Sequence, residues 1–450
     1  MRVLKFGGTS MADASSWKQV ATIAQKNQPC LLVVSATSGT TDMLIESAYL
    51  AEKGEINKAL EYADQIKAKH EEIITGFVSE ESIDLAVMQP GFDHINYLYE
   101  QLKQFLNGIY TLEELTSKTM DSVSCIGEQL SSRLLADCCR AASIPAEHVD
   151  AREVIKTDAT HAEAYPLRDV ITKQAGEFKK KIGTGKILIM GGFYGSSPDG
   201  KTTTLGRGGS DYSASLMAEA LDADAVDIWT DVSGMYTCDP RVVPDAKYIP
   251  EISFHEAAEL AYFGARVLHP ATIQPAIDKD IPVYIKNTFE PDHPGTAITS
   301  VVKPEQNVKA IAFKRDITLI TITSSRMLMA YGFLAKVFAV FENFQLPVDL
   351  VTTSEVSVTM SIDQVDRLDE LINALESYGQ VSVDRQQALL CVVGSNFLQS
   401  RGIAYRVFGS LADIPVRMIS QGSSDMNLSL VIGNEFVEQG ARALHDEFFG

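Results

Sequence analysis

Residues 1–290 alternate short β-branched runs with longer helical patterns, and that rhythm leaves few folds open. Strands are expected at Val3–Phe6, Cys30–Ser35, Lys186–Met190, Ala225–Thr230 and Pro282–Lys286. Between them, helical spacing covers Ser15–Lys26, Ala48–Ile73, Phe92–Leu106, Gln129–Ala142, Pro166–Ile182, Ser213–Leu221 and Phe254–Arg266. Strands joined by helices pair in parallel, and their crossovers cover both faces of the sheet. The expected fold class is therefore α/β, a three-layer αβα sandwich around a mainly parallel sheet. Ligands of such sheets gather at the carboxyl ends of the strands, where Lys5, Ser35, Gly191 and Asp231 fall.

The rhythm stops at two proline-containing clusters, Phe289–Gly295 and Lys303–Asn307. They mark a linker at 291–307 between a domain at 1–290 and the remainder of the chain. A chain of 450 residues exceeds one core, so further domains are expected. The remainder carries a weak duplication. Its first copy reads strand 317–323, helix 333–344, strands 348–353 and 356–362, helix 365–378 and strand 380–383. Its second copy reads strand 388–393, helix 404–411, strands 416–421 and 427–431 and helix 435–448, one strand short. The segment Val308–Phe313 precedes the first copy and can fill that open edge. The expectation is two interleaved βαββαβ domains, 308–386 and 387–450, with 308–314 lent to the second.

A net charge of −20 argues against nucleic acid or anionic membranes as partners. The six cysteines form no C-x-x-C pair, and several sit in apolar runs such as Cys30–Val34. Together with an N-terminus that enters a strand at once, they lead to the expectation of a cytoplasmic setting.

The chemistry concentrates in Thr202–Asp211, which combines three glycines, Arg207, Asp211 and the start of a helix. Free backbone N–H groups, a helix N-terminus and a guanidinium fork suit a doubly anionic substrate. Just upstream, Gly195–Thr202 satisfies G-x-x-x-x-G-K-[ST]. Three threonines follow the lysine where that motif needs a helix, and Pro198-Asp199-Gly200 signals a turn. A hairpin fits better, and Lys201 is not a phosphate ligand. Lys5-Phe6-Gly7-Gly8 can set an ammonium and N–H groups on phosphate oxygens. Ser35–Asp42 offers small hydroxyls for a substrate loop, or Thr41 caps a helix. Glu128 begins a helix, where compensation of the dipole is the bland alternative. Tyr236 and Arg241, after the strand ending at Thr230-Asp231, suit a nucleotide base and phosphates. His269 has no partner at metal-ligand spacing.

Taken in order along the chain, these segments resemble the aspartate kinases, and most closely their monofunctional lysine-sensitive type. The matching phrases also include Val267–Thr272 and Thr352–Val358. The resemblance implies an amino-acid-kinase domain followed by two ferredoxin-like ACT domains. It implies transfer of the γ-phosphoryl group of ATP, carried with Mg²⁺, to the β-carboxylate of L-aspartate. Lys5, Gly8, Gly209 and Asp211 are then catalytic, with N–H groups of Gly7, Gly8 and Gly209 on the phosphates. Ser35, Thr41, Glu128, Arg207 and Ser210 hold aspartate, Arg207 on its α-carboxylate and Glu128 on its ammonium. Lys5, Gly7, Gly8, Thr230, Asp231, Tyr236, Arg241, Arg266 and Val267 carry over to ATP, with Arg266 standing where the family often has lysine. Met327, Phe333, Leu334, Asp349, Thr353 and Ser354 match effector positions, with Asp349 suited to an ammonium. Lysine is the implied effector. Ala330 replaces a serine of the lysine-sensitive type, which keeps threonine as the alternative. A homodimer or tetramer through the ACT domains is implied as well. Rival readings are a kinase of glutamate or N-acetylglutamate, and a silent amino-acid sensor.

Overall fold

A computed structural model describes residues 1–263, 270–300, 307–327, 331–363, 367–422 and 424–450. The chain forms two compact units. The first takes 1–235, 250–254 and 267–302, and the second takes 236–249, 255–266 and 303–450.

An eight-stranded sheet organises the first unit. Its order is Glu251–Ser253, Thr296–Thr299, Val283–Asn287, Ala225–Thr230, Arg2–Phe6, Cys30–Val34, Ile187–Gly191 and Ala146–Val149. Every neighbouring pair is parallel except 283–287 with 296–299. Cys30–Val34 and Ile187–Gly191 are buried at every residue, as strands covered on both faces must be. Helix Ala14–Lys26 begins where the Asp13 carboxylate accepts from the Ser16 N–H. Trp17, Val20, Ile23 and Ala24 of that helix join one core with Leu4, Phe6 and Leu32 of the strands.

Several expectations change here. The single helix expected over 48–73 is two, Thr40–Glu52 and Ile56–Glu80. The break falls at Gly54, whose φ of +83° is left-handed and free of cost only for glycine. Thr296–Thr299 lies inside the stretch read as a linker, yet it is a strand of the large sheet. Helix Ser117–Ser124 and the edge strand Ala146–Val149 are additions to the expected elements. The P-loop lookalike is a hairpin, Tyr194–Ser196 paired with Thr202–Thr204.

The second unit holds a six-stranded antiparallel sheet in the order Val351–Thr353, Ser357–Ile362, Val308–Thr323, Gln380–Gly394, Asn427–Gly433, Val416–Gln421. The segments read separately as 308–313 and 317–323 form one continuous strand, as do 380–383 and 388–393. Residues 319–323 pair with 380–384, and 308–314 pair with 389–394. The register shifts between these halves, and Asp316 and Gln386 sit there at positive φ. One half packs helices Phe333–Asn343 and Leu368–Leu375 against the sheet. The other packs Ile403–Ser410 and Val437–Phe449. Segment 236–249 belongs with this second core because Cys238, Val242 and Val243 are buried in it. Its Thr237 carbonyl also accepts from the Ile311 N–H.

Candidate active site

Neighbouring strands of the large sheet deliver Lys5, Ser35 and Asp231 to one end, because parallel strands align their carboxyl ends. A cavity of about 580 Å³ opens in the first unit and is lined by Lys5, Gly8, Ser35, Thr41, Glu128, Arg207, Gly209, Ser210 and Asp211. The residues expected to hold aspartate and to drive the transfer are thus brought together.

Lys5 Nζ lies 2.7 Å from Asp211 Oδ1, with both side chains only 12% exposed. Asp211 reaches that point from the first turn of helix Gly209–Leu221, where a carboxylate also opposes the helix dipole. Gly208 precedes the helix at φ +72°, a left-handed conformation that turns the chain from Arg207 into the helix. Arg207 itself is exposed and has neither ion pair nor hydrogen bond among the described residues. Its five donors remain available.

Glu128 is the reverse case. It stands in the first turn of helix Ile126–Ala141, 4% exposed, and its Oε2 has no hydrogen-bond partner. Burial pushes its carboxyl up to about 8, opposed by the Ala36 N–H and the charge of Lys5. Dipole compensation does not explain a carboxylate this deep. An unpartnered buried oxygen aimed into a cavity is what an incoming ammonium would satisfy.

The loop 35–41 is fixed from several sides. Ser35 donates its N–H to Phe6 O at 3.0 Å and accepts from Ser131 Oγ at 2.8 Å on its carbonyl. Thr37 Oγ1 touches Thr40 Oγ1 and lies 3.3 Å from His70 Nε2, while Lys69 Nζ donates to Ser38 O. Burial drives His70 down to about 4, so it stays neutral at pH 7. Thr41 lies inside helix Thr40–Glu52 and does not cap it. Gly39 holds the cap position without a side-chain bond.

The glycine N–H groups divide. Gly7 donates to Trp229 O at 3.1 Å and Gly209 to Gly206 O at 3.0 Å, so neither is offered to a phosphate. Gly8 has no such partner among the described residues and keeps its N–H for a ligand. Gly209 is needed for space instead, since a Cβ there would lie 2.8 Å from Phe193 Cδ2. Thr230 donates its hydroxyl to Asp231 at 3.1 Å. Tyr236 and Arg241 belong to the second unit, where Tyr236 meets the Tyr248 ring edge-on and Arg241 pairs with Asp239 at 2.7 Å. Arg266, Val267, His269 and Ala330 lie outside the described residues.

Among the effector candidates, Phe333 is buried and Met327 packs against the same core. Leu334 and Thr353 are exposed, and Ser354 Oγ lies 2.7 Å from Ser357 Oγ. Asp349 is not waiting for an ammonium. It accepts from Tyr262 OH at 2.9 Å and lies 3.4 Å from Lys314 Nζ.

Residues that sequence reasoning missed include Asp121, Ala162, Phe193 and Thr204, all on the cavity wall. Phe193 carries a hint in the sequence, the preceding Gly191-Gly192 turn signal, and in the structure it sits at φ +73°, unusual for a bulky residue.

A model of the amino acid kinase family matches residues 1–287 and one of the ACT domain matches 390–448. The first spans more than half of the chain and covers nearly all of the large sheet. The chain is 37% identical to the lysine-sensitive aspartokinase 3 of Escherichia coli, over 99% of both sequences. It is 36% identical to the chloroplastic aspartokinase 2 of Arabidopsis thaliana, over 99% of this chain and 84% of that one. Among solved structures it matches E. coli aspartokinase III in complex with aspartate and ADP, with TM-score 0.82, 36% identity and complete coverage of both chains. The same enzyme in complex with lysine and aspartate gives 0.83. This chain belongs to the aspartokinase family.

Proposed function

We propose that this aspartokinase transfers the γ-phosphoryl group of MgATP to the β-carboxylate of L-aspartate, giving 4-phospho-L-aspartate. The observation that carries this reading is the pairing, in one cavity, of Glu128, whose Oε2 is unpartnered, with the uncommitted Arg207 guanidinium. An α-amino acid presents the complementary pair. Arg207 clamps its α-carboxylate, Glu128 accepts its ammonium, and Ser35, Thr41 and Ser210 complete the walls. The attacking β-carboxylate is already ionised near neutral pH, so no general base is needed. Lys5 neutralises charge gathering on the transferred phosphoryl, the Gly8 N–H assists, and Asp211 holds the Lys5 ammonium in place. Thr230 and Asp231 lie on the nucleotide side. No three His, Cys, Asp or Glu side chains converge as a metal cage among the described residues. Mg²⁺ is proposed to arrive on the nucleotide as part of the substrate.

The domain limits proposed are 1–290 with the strand Thr296–Thr299 added to the first, then 308–386 and 387–450, supported by family matches at 1–287 and 390–448. Lysine is the proposed effector, with threonine the alternative. Assembly as a homodimer or tetramer is proposed through the ACT domains, where Tyr331, Phe338, Val356 and the strand Val351–Thr353 are exposed. A cytoplasmic setting completes the proposal. It is supported by six cysteines that are all buried and unbridged. No described helix is long and apolar enough to cross a membrane.

The test is turnover with aspartate, glutamate and N-acetylglutamate, trapping the acyl phosphate with hydroxylamine, then adding lysine or threonine. Turnover with aspartate alone, suppressed by lysine, is expected. Turnover with another acid instead, or with none, would overturn the reading.

A further inference from the structure

Asp121 is a buried carboxylate that the proposed chemistry does not use. It stands on helix Ser117–Ser124, 1% exposed, at the wall of the cavity. A charge that deep persists only when donors replace its water. His161 Nδ1 donates to Oδ2 at 2.6 Å, and the Ala162 N–H lies 3.0 and 3.2 Å from the two oxygens. Thr204 Oγ1 donates to Oδ1 at 2.5 Å. These donors come from two segments that also bond each other, since the Ala164 N–H reaches Thr204 O at 2.9 Å.

Thr204 closes the hairpin, and three residues later the chain reaches Arg207. Between them Gly206, at φ +74°, packs so closely that a Cβ would lie 3.1 Å from Glu163 Cγ. The turn carrying Arg207 is thus seated on the 161–163 segment, and Asp121 fastens both. Because Arg207 has no side-chain partner of its own, its aim is set by that backbone.

We infer that Asp121 is a positioning residue for aspartate binding, acting through Thr204 and the Gly206 turn on Arg207, with His161 as its hydrogen-bond partner. The inference rests on the reading of Arg207 as the clamp for the substrate α-carboxylate. It extends the site to a residue on a short helix that is not among the sheet ends and glycine-rich turns expected to carry the chemistry.

The experiment compares KM for aspartate, KM for MgATP and kcat in Asp121→Asn, Thr204→Val, Thr204→Ser, Arg207→Ala and the double variant Asp121→Asn/Arg207→Ala. Loss of a hydrogen bond to a charged group is expected to raise KM for aspartate on the order of tenfold in Asp121→Asn. KM for MgATP should stay within about twofold, the scatter expected of a site that is not coupled. In the Arg207→Ala background Asp121→Asn should add nothing, because the effect runs through a side chain already removed. Thr204→Val should move KM for aspartate the same way and Thr204→Ser should restore it. These two variants carry the test if Asp121→Asn does not fold. Additive effects in the double variant, or equal rises in both KM values, would overturn the positioning role while leaving the clamp intact. An unchanged KM for aspartate in Arg207→Ala would remove the clamp reading and this inference with it.

Discussion

Two carboxyl groups nominated for an ammonium, Glu128 in the first unit and Asp349 in the second, are treated in opposite ways by the fold. Glu128 is left without a donor on Oε2 and holds a proton to about pH 8. Asp349 is served by Tyr262 OH and Lys314 Nζ, and Lys314 also lies 2.7 Å from Asp363. Burial and the neighbouring Asp349 raise the Tyr262 phenol well above its ordinary value, so it remains a donor. A ligand ammonium at Glu128 repairs a defect, and binding is strengthened by what the empty pocket lacks. A ligand ammonium at Asp349 must take the place of partners already there. Exchange of that kind distinguishes two states of the protein, which a regulatory ligand requires and a substrate does not.

The contrast breaks most visibly at Lys5. Lys5→Ala is expected to lower kcat roughly 10³-fold or more, as removal of a charge-stabilising group does. Coupled ADP release measures it, and effector binding by calorimetry should be unchanged. Near-normal turnover would take Lys5 out of the reaction.

Glu128→Gln should raise KM for aspartate about 10- to 100-fold, since a charged pair is lost. The sign of the pH effect follows from the raised carboxyl. Below about pH 8 the free enzyme carries Glu128 protonated, so wild-type KM for aspartate should fall as pH rises towards 8 and level off above it. The variant should show no such slope. Stability runs the other way. The unfolded chain releases this proton near 4.5 and the folded chain near 8, so folding stability declines as pH rises through that window. Thermal melts at pH 5 and pH 8 should show a smaller decline in Glu128→Gln, and a decline equal to wild type would remove the buried proton from the account.

Arg207→Lys should raise KM for aspartate on the order of tenfold with little change for MgATP, because the bidentate fork is lost while the charge stays. Equal changes for both substrates would contradict the assignment. The smallest effect is expected at Tyr262→Phe. Removing one neutral donor from Asp349 should lower the lysine concentration for half-inhibition about two- to tenfold, by sparing the effector one displacement. An unchanged or higher concentration would show that Asp349 is not where exchange occurs.

Much of the fold and of the site is legible in the sequence because it rests on periodicity and charge. Parallel strands reading as unbroken apolar runs, and Lys5, Glu128, Arg207 and Asp211 standing beside glycines and helix starts, announce themselves. The hidden remainder depends on partners distant in sequence. Helix Ser117–Ser124 has three serines and a threonine among its eight residues and little apolar rhythm, and Asp121 is buried by polar contacts rather than by hydrophobicity. Gly54 separates two helices that together read as one. The glycine N–H groups look alike in sequence, yet Gly7 and Gly209 are occupied by carbonyls and Gly8 is not.

The strands Val308–Thr323 and Gln380–Gly394 run through both halves of the six-stranded sheet like a pair of shared rails. A ribosome that has released residue 380 has made nearly every element of the first copy, yet 308–314 still lacks the partner that lies at 389–394. That stretch remains an unpaired edge until the tail of the chain emerges. A truncation between the copies would therefore leave a sticky margin at the start of the regulatory region rather than a shorter sensor. The two copies are consequently expected to be made, melted and lost together.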